Sequence, residues 1–230
     1  MNTASIKLLD SFHIGSSIDL SDHQVKQLVA LFNKPSRPVN SVLGGRTSAT
    51  AGHINGIGDV VVKHYTRGGF IRHFVKKRYL RWGKIRSRVE FEVLQKVRQH
   101  GINAPRPIAY AYQGALYYRA WLVTEEIRQH QTLAQLSLTD PDLACLLTGK
   151  VVGQIAALID NDIFHVDLHP GNVLVDHKKN IFLIDFDKTR FTQIPKDKLR
   201  RKYGDRWKRA VIKHRLPDRL YDAMNTALVK

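Results

Sequence analysis

From Val39 onward, apolar and polar positions alternate over short runs. VNSVL, the turn GGR, TSATAGHI, the turn NGIG and DVVVKHY read as a small antiparallel meander. A spacing of four, four and three residues then takes over: Ile71, Val75, Tyr79 and Trp82 share one side of a predicted helix, with Arg72, Lys76 and Lys77 mostly off that stripe. A second helix is predicted from about Ile85 to His100, ended by Gly101. NAPRPIAYAYQGALYYRAWLVTEEI reads as a proline-shaped loop and two strands meeting at Gln113-Gly114. Residues 132–160 are predicted helical, in a short piece with Leu133 and Leu136 and a longer one after Asp140-Pro141, where Asp caps and Pro takes the first turn. The tail from Lys196 reads as a basic helix. Residues 1–38 read as an irregular or partly helical approach, closed by the turn-forming NKPSRPVN.

This order predicts an α+β chain: an N-terminal extension (1–38), a strand-rich part with one or two helices (39–127) and a mainly helical part with a short strand pair (128–230). The 230 residues, 43% of them hydrophobic, suffice for a packed core. The single Cys145 rules out an intramolecular disulfide framework and a cysteine-based zinc cluster, and suits a reducing compartment. The start MNTASIKLLD lacks a basic region followed by an apolar one, and runs such as VVGQIAALI are too short to span a bilayer, so neither export by that route nor insertion is expected.

Charge changes the picture more. The formal net charge is +17, carried by two segments: Lys63–Arg88 has ten basic residues and no acid, and Lys196–Arg219 has eleven against three. Such segments predict an anionic partner, whether a phosphorylated small molecule, a membrane surface or nucleic acid.

Acids are scarce, yet HVDLHPGNVLVDHKKNIFLIDFD gathers several. NVLVD and IFLID read as two strands joined by HKKN, which brings their outer ends together: Asn172 just before the first, Asp185 just after the second, and Asp167 on the preceding loop. An amide oxygen and a carboxylate converging there suit Mg²⁺, a hard ion that takes oxygen ligands and completes its shell with substrate phosphates. Asp167 is then left to accept or position a proton.

HVDLHPGN resembles the H-x-D-x-x-x-x-N catalytic loop of the protein-kinase-like superfamily, and DFD stands where that superfamily has D-F-G. Val166 replaces the usual Arg, Asp187 replaces the Gly, and no A-P-E or long activation segment follows, so control by activation-loop phosphorylation is not expected. The resemblance implies a two-lobed kinase-like fold, with a small antiparallel-sheet N-lobe and a mainly helical C-lobe. It assigns proton acceptance to Asp167 and ATP-bound magnesium to Asn172 and Asp185, with Asp187 as a further carboxylate. Lys63, ending VVVK, takes the place of the third-strand lysine that neutralises phosphates. Of its two candidate partners, Glu90 shares the inward face of Val93, Leu94 and Val97, whereas Glu92 sides with Gln95, Lys96 and Gln99. Gly44, Gly45 and Arg46 in LGGRTSA are expected to cover the nucleotide, and Glu125 and Glu126 in TEEI to lie at the hinge beside adenine.

VVKHYTRGGFIRHFVKKRYL, FEVLQKVRQHGINAPRPIAY, LYYRAWLVTEEI and IFLIDFDKTR together resemble the lipopolysaccharide kinase family, over about residues 39–215. That resemblance implies ATP-dependent phosphorylation of 3-deoxy-D-manno-octulosonic acid (Kdo), at the 4-hydroxyl, on a lipid A precursor. It also implies a peripheral place on the cytoplasmic face of the inner membrane, reached through the basic segments 63–88 and 196–219. Ile71, Phe74, Val75, Tyr79 and Trp82 fit either such a surface or the domain core. Other acceptors, a core heptose or a soluble sugar, remain open on the residues alone. The contrasting class is a basic nucleic-acid-binding module with no ATP turnover.

Overall fold

A computed structural model describes residues 5–35, 37–38, 48–65, 79–80, 84–115 and 117–229. The chain divides into two compact units: Met1–Asn40, Gly45–Gln95 and Arg106–Glu126 form the first, and Ser41–Gly44, Lys96–Pro105 and Ile127–Lys230 the second.

In chain order the first unit carries β1 (Ser5–Leu9), β2 (Phe12–Ser16), α1 (Asp22–Asn33), β3 (Arg37–Pro38), β4 (Ser48–Ile54), β5 (Gly58–Tyr65), β6 (Tyr79–Leu80), most of α2 (Arg86–Gln99), β7 (Pro107–Gln113) and β8 (Tyr117–Glu125). Its strands make one antiparallel sheet in the order β1-β2-β7-β8-β5-β4-β3, with β6 also on β8. β4 and β5 meet at Ile54 and Gly58, where Gly56 (φ 76) and Gly58 (φ 104) supply left-handed backbone that other residues resist. Alternation then sends Val60 and Val62 to one face, packed with α1, and Lys63 and Tyr65 to the other, facing α2.

Residues 5–33 are partly helical, as expected, through α1, and correct the rest of the reading: the segment is an integral part of the sheet, not an irregular approach. β2 pairs with β7, and α1 buries Val25, Leu28, Val29, Leu31 and Phe32 in the core of the first unit. Phe12, Phe32 and Trp121 form an aromatic triangle with ring centroids 5.2–5.6 Å apart. The local signal was available: Ser21 and Gln24 form a capping box, followed by apolar residues at 25, 28, 29 and 32. Gly52 lets α1 approach, since a Cβ there would lie 2.4 Å from a Leu31 methyl.

The expected strand at 39–43 and the GGR turn lie outside the described residues, as does most of the helix expected from Ile71. That helix does not reach Tyr79 and Leu80, which pair with Tyr118 and Tyr117. β5 pairs with β8 as far as Tyr65↔Ala120 among the described residues, and the leading residues of β8 find backbone partners in β6.

The second unit carries β9 (His130–Thr132), α3 (Leu133–Thr139), α4 (Pro141–Asp160), β10 (Ile163–Phe164), β11 (Val173–Asp176), β12 (Ile181–Leu183), β13 (Arg190–Phe191), α5 (Lys196–Lys213) and α6 (Arg219–Val229). The Asp140 carboxylate caps α4 at Leu143 N–H, with Pro141 in the first turn as its sequence implies. By length and composition α4 is the one described helix that could cross a membrane. It packs against α3, α5 and α6, burying Leu147, Val151, Ile155 and Leu158, which accounts for its apolar character. α5 buries Leu199, Tyr203, Trp207, Ala210 and Val211 on one stripe and leaves Lys198, Arg201, Lys208 and Arg209 exposed. The predicted pair β11–β12 forms in the register Val173↔Leu183, and β9 adds a third strand on β11.

Candidate active site

In the first unit Lys63 extends from β5 toward α2. Its Nζ lies 3.0 and 2.9 Å from the two carboxylate oxygens of Glu90, and the Tyr65 hydroxyl also donates to Oε2. The pair is withdrawn from water, with 18% of the Lys63 side chain and 3% of the Glu90 side chain exposed. Glu90 points inward because it shares the buried side of α2 with Ser87, Phe91, Leu94 and Val97, and the Ser87 hydroxyl ties that side to Ala111 O on β7. Glu92, the other candidate, instead holds Arg88 at 2.7 Å on the exposed side.

Glu125 ends β8 and Glu126 follows it. Their backbone N–H groups are both committed, to Arg106 O at 2.9 Å and Asp59 O at 3.0 Å, and the Glu125 carboxylate holds Arg106 at 3.2 Å. Gly44, Gly45 and Arg46 lie outside the described residues.

In the second unit the loop from His165 to Asn172 is braced at both ends. His165 is 1% exposed; its N–H donates to the Tyr203 hydroxyl (2.9 Å), which itself donates to Ile163 O (2.9 Å). The His165 Nε2 lies 3.0 Å from Ile184 O. A carbonyl only accepts, so Nε2 carries the proton and the ring is neutral, in keeping with a pKa lowered by burial. His165 thereby fixes the residue before Asp185. On the other side Ile184 N–H donates to Asn172 O (3.0 Å), so the strand pairing continues one step past Val173↔Leu183 and sets Asn172 beside the Asp185 segment. Asp185 takes left-handed backbone (φ 66, ψ 59), which Asp adopts more readily than most residues. Asp187 follows in the single 3-10 turn Phe186–Lys188.

The Asn172 side-chain amide donates from Nδ2 to the Asp167 backbone oxygen at 2.9 Å. That fixes the amide's orientation and leaves Oδ1, its ligand end, without a partner among the described residues. Asn172 and Asp185 therefore offer the hard oxygen donors magnesium takes, in the small number usual for an ion that otherwise keeps water and phosphate oxygens. Among the described residues no three His, Cys, Asp or Glu side chains gather into a metal-holding group.

The Asp167 carboxylate sits among cations. Arg206 of α5 places Nε at 3.1 Å and Nη2 at 2.6 Å from Oδ1, and Lys188 places Nζ 3.6 Å from Oδ2. Partial burial alone would raise its pKa; the Arg206 guanidinium, with Lys188, outweighs this and holds the group below the usual carboxylate range. His169 is lowered to about 4 by burial and then by the Arg206 charge, so it is neutral near pH 7.

Arg206, Lys188 and Tyr203 are absent from the residues singled out by motif. Arg206 does carry a sequence signal: it stands three residues after Tyr203 and four before Ala210, so a cation occupies the apolar stripe of a helix. A charge there requires a partner, and the partner is Asp167.

Residues 29–227 match the family described as Lipopolysaccharide kinase (Kdo/WaaP) family. A "3-deoxy-D-manno-octulosonic acid kinase" of Vibrio vulnificus (strain CMCP6) is 36% identical over 172 residues, covering 74% of this chain and 66% of that one. A protein of the same name from Stenotrophomonas maltophilia (strain K279a) is 34% identical over 186 residues, covering 78% and 71%. One from Vibrio parahaemolyticus serotype O3:K6 (strain RIMD 2210633) is 31% identical over 174 residues, covering 70% and 73%.

Proposed function

We propose, for a chain that belongs to the lipopolysaccharide kinase (Kdo/WaaP) family of phosphotransferases, that it transfers the γ-phosphoryl group of ATP to the 4-hydroxyl of Kdo on a lipid A precursor. The observation that carries this reading is the brace of the HVDLHPGN loop. The Asn172 amide is locked on the Asp167 backbone with its oxygen open to a cation, while the Asp167 carboxylate remains beside it for the acceptor.

In this mechanism the sugar hydroxyl oxygen bonds to the γ-phosphorus as the bond to the bridging oxygen breaks, ADP leaves, and the hydroxyl proton passes to Asp167. Positioning and charge neutralisation supply most of the rate in such transfers. Magnesium, when bound, neutralises charge on the ATP phosphates, and Asn172 and Asp185 would hold it. Lys63, held straight by Glu90, neutralises the phosphates that are not transferred. Gly44, Gly45 and Arg46 are assigned to covering the nucleotide, Glu125 and Glu126 to its adenine, and Asp187 to the metal's surroundings.

The acceptor is an anionic glycolipid, and the exposed basic side of α5 suits attachment to the anionic inner leaflet from the cytoplasmic face. Binding to vesicles containing acidic phospholipid, weakening as salt rises, is the expected behaviour, and binding unaffected by salt would refute that attachment.

The test of function uses γ-labelled ATP, Mg²⁺ and a Kdo-bearing lipid A precursor, with Asp167→Ala and Asp185→Ala beside the wild type. Label should enter the glycolipid with the wild type alone, and mass fragmentation should place it on the 4-hydroxyl. Undiminished transfer by either variant would overturn the assignments, and transfer only to heptose or a soluble sugar would overturn the acceptor.

A further inference from the structure

Arg206 has capacity beyond its contact with Asp167. A guanidinium carries five N–H donors. Two are directed at Asp167 Oδ1, and the other three have no partner among the described residues. The side chain is not sealed off, with 22% of its surface exposed. Charge gives a second observation: the Asp167 carboxylate faces both Arg206 and Lys188, two cations on one anion.

We propose that Arg206 is an acceptor-binding residue, which positions Asp167 with one edge of its guanidinium and pairs with the carboxylate of the acceptor sugar through the other. This rests on the Kdo reading above. Kdo is a sugar acid, so its charge and its reacting hydroxyl belong to one small molecule. Arg206 touches Asp167 at 2.6 Å, so an anion on its free edge lies within one sugar's breadth of a hydroxyl on Asp167. Phosphates elsewhere on the glycolipid lie farther from the reacting hydroxyl than the acid of its own sugar ring. A planar fork matches a planar carboxylate in two parallel hydrogen bonds, which an ammonium does not reproduce. Lys188, 66% exposed, supplies the remaining positive charge from the opposite side of Asp167.

The experiment compares two acceptors, Kdo-lipid with its free acid and the same lipid with that acid as a methyl ester. For the wild type the ester should raise the acceptor KM by about ten- to a hundredfold, the range for a hydrogen bond between charged groups, with the KM for ATP unchanged. Arg206→Gln should raise the KM of the free acid by a similar factor and abolish the difference between the two acceptors. Arg206→Lys should restore only part of it. Lys188→Gln, at an exposed position, should weaken the free acid by a smaller factor and spare the fold. Thermal melts identify any variant that fails to fold, and the wild-type comparison needs no variant. Equal KM for acid and ester in the wild type overturns the inference alone. An Arg206→Gln effect confined to kcat or to the KM for ATP also overturns it and leaves Arg206 with the positioning of Asp167 alone. No transfer to either acceptor by the wild type overturns the Kdo reading itself, and the inference with it.

Discussion

The Lys63–Glu90 pair allows stability and catalysis to be separated. Replacing Glu90 by Leu leaves an ammonium that is 18% exposed without this carboxylate, and replacing Lys63 by Met leaves a carboxylate that is 3% exposed without this ammonium. Removing one partner of a buried pair costs about 3–5 kcal/mol, because the remaining charge keeps its desolvation penalty. Replacing both by apolar side chains removes both penalties, and the exchange is often neutral or favourable. The Tyr65 hydroxyl still loses its acceptor on Glu90, at about 1 kcal/mol. Lys63→Met and Glu90→Leu should each lower the urea midpoint by about 1.5–2.5 M, taking a slope of about 2 kcal/mol per molar. The double variant should return to within about 0.5 M of the wild type. Turnover of labelled ATP should be lost in all three, since the recovered stability brings back no cation for the phosphates. A double variant as unstable as the sum of the two singles would refute the coupling. Full turnover by Glu90→Leu would refute the claim that Lys63 depends on Glu90 for its position.

Tyr203→Phe removes the one hydroxyl that joins His165 N–H to Ile163 O, and should cost about 2 kcal/mol in a urea titration; no loss would show that water replaces it. Gly52→Ala drives a methyl group against buried Leu31 and should cost about 1–3 kcal/mol, read as a lower melting temperature. Stability should also fall with pH. His169 titrates at about 4 when folded against the ordinary 6.5, so between those values the unfolded chain binds the extra proton. The loss begins as pH drops below about 6.5, amounts to at most about 3 kcal/mol from this group, and levels off below about 4. His165, also lowered by burial, acts in the same direction. Melts of wild type and His169→Gln at pH 5 and 7.5 test this, and an equally steep fall in the variant would remove His169 as a cause.

Local pattern determined much of this protein. Alternation and glycine turns set β4 and β5, Asp140-Pro141 set the start of α4, and NVLVD-HKKN-IFLID set the β11–β12 pair, because each is fixed by backbone preferences within a few residues. The motif H-x-D-x-x-x-x-N with D-F-D marked Asp167, Asn172 and Asp185, and helical spacing separated Glu90 from Glu92 before their partners were visible. The N-terminal hairpin and α1 were legible in principle, through the capping box at Ser21, but their place in the sheet was not. β2 meets β7 nearly a hundred residues later, and no local preference selects a strand's distant neighbour. The same holds for β6, which pairs with β8 across nearly forty residues of chain, and for Tyr203 and Arg206, whose partners lie about forty residues back along the chain. Residue order specifies the chemical groups and the elements that carry them. Tertiary contact alone sets which charge faces which, because a half-buried cation on an apolar helical stripe declares that it needs an anion without saying which anion answers it.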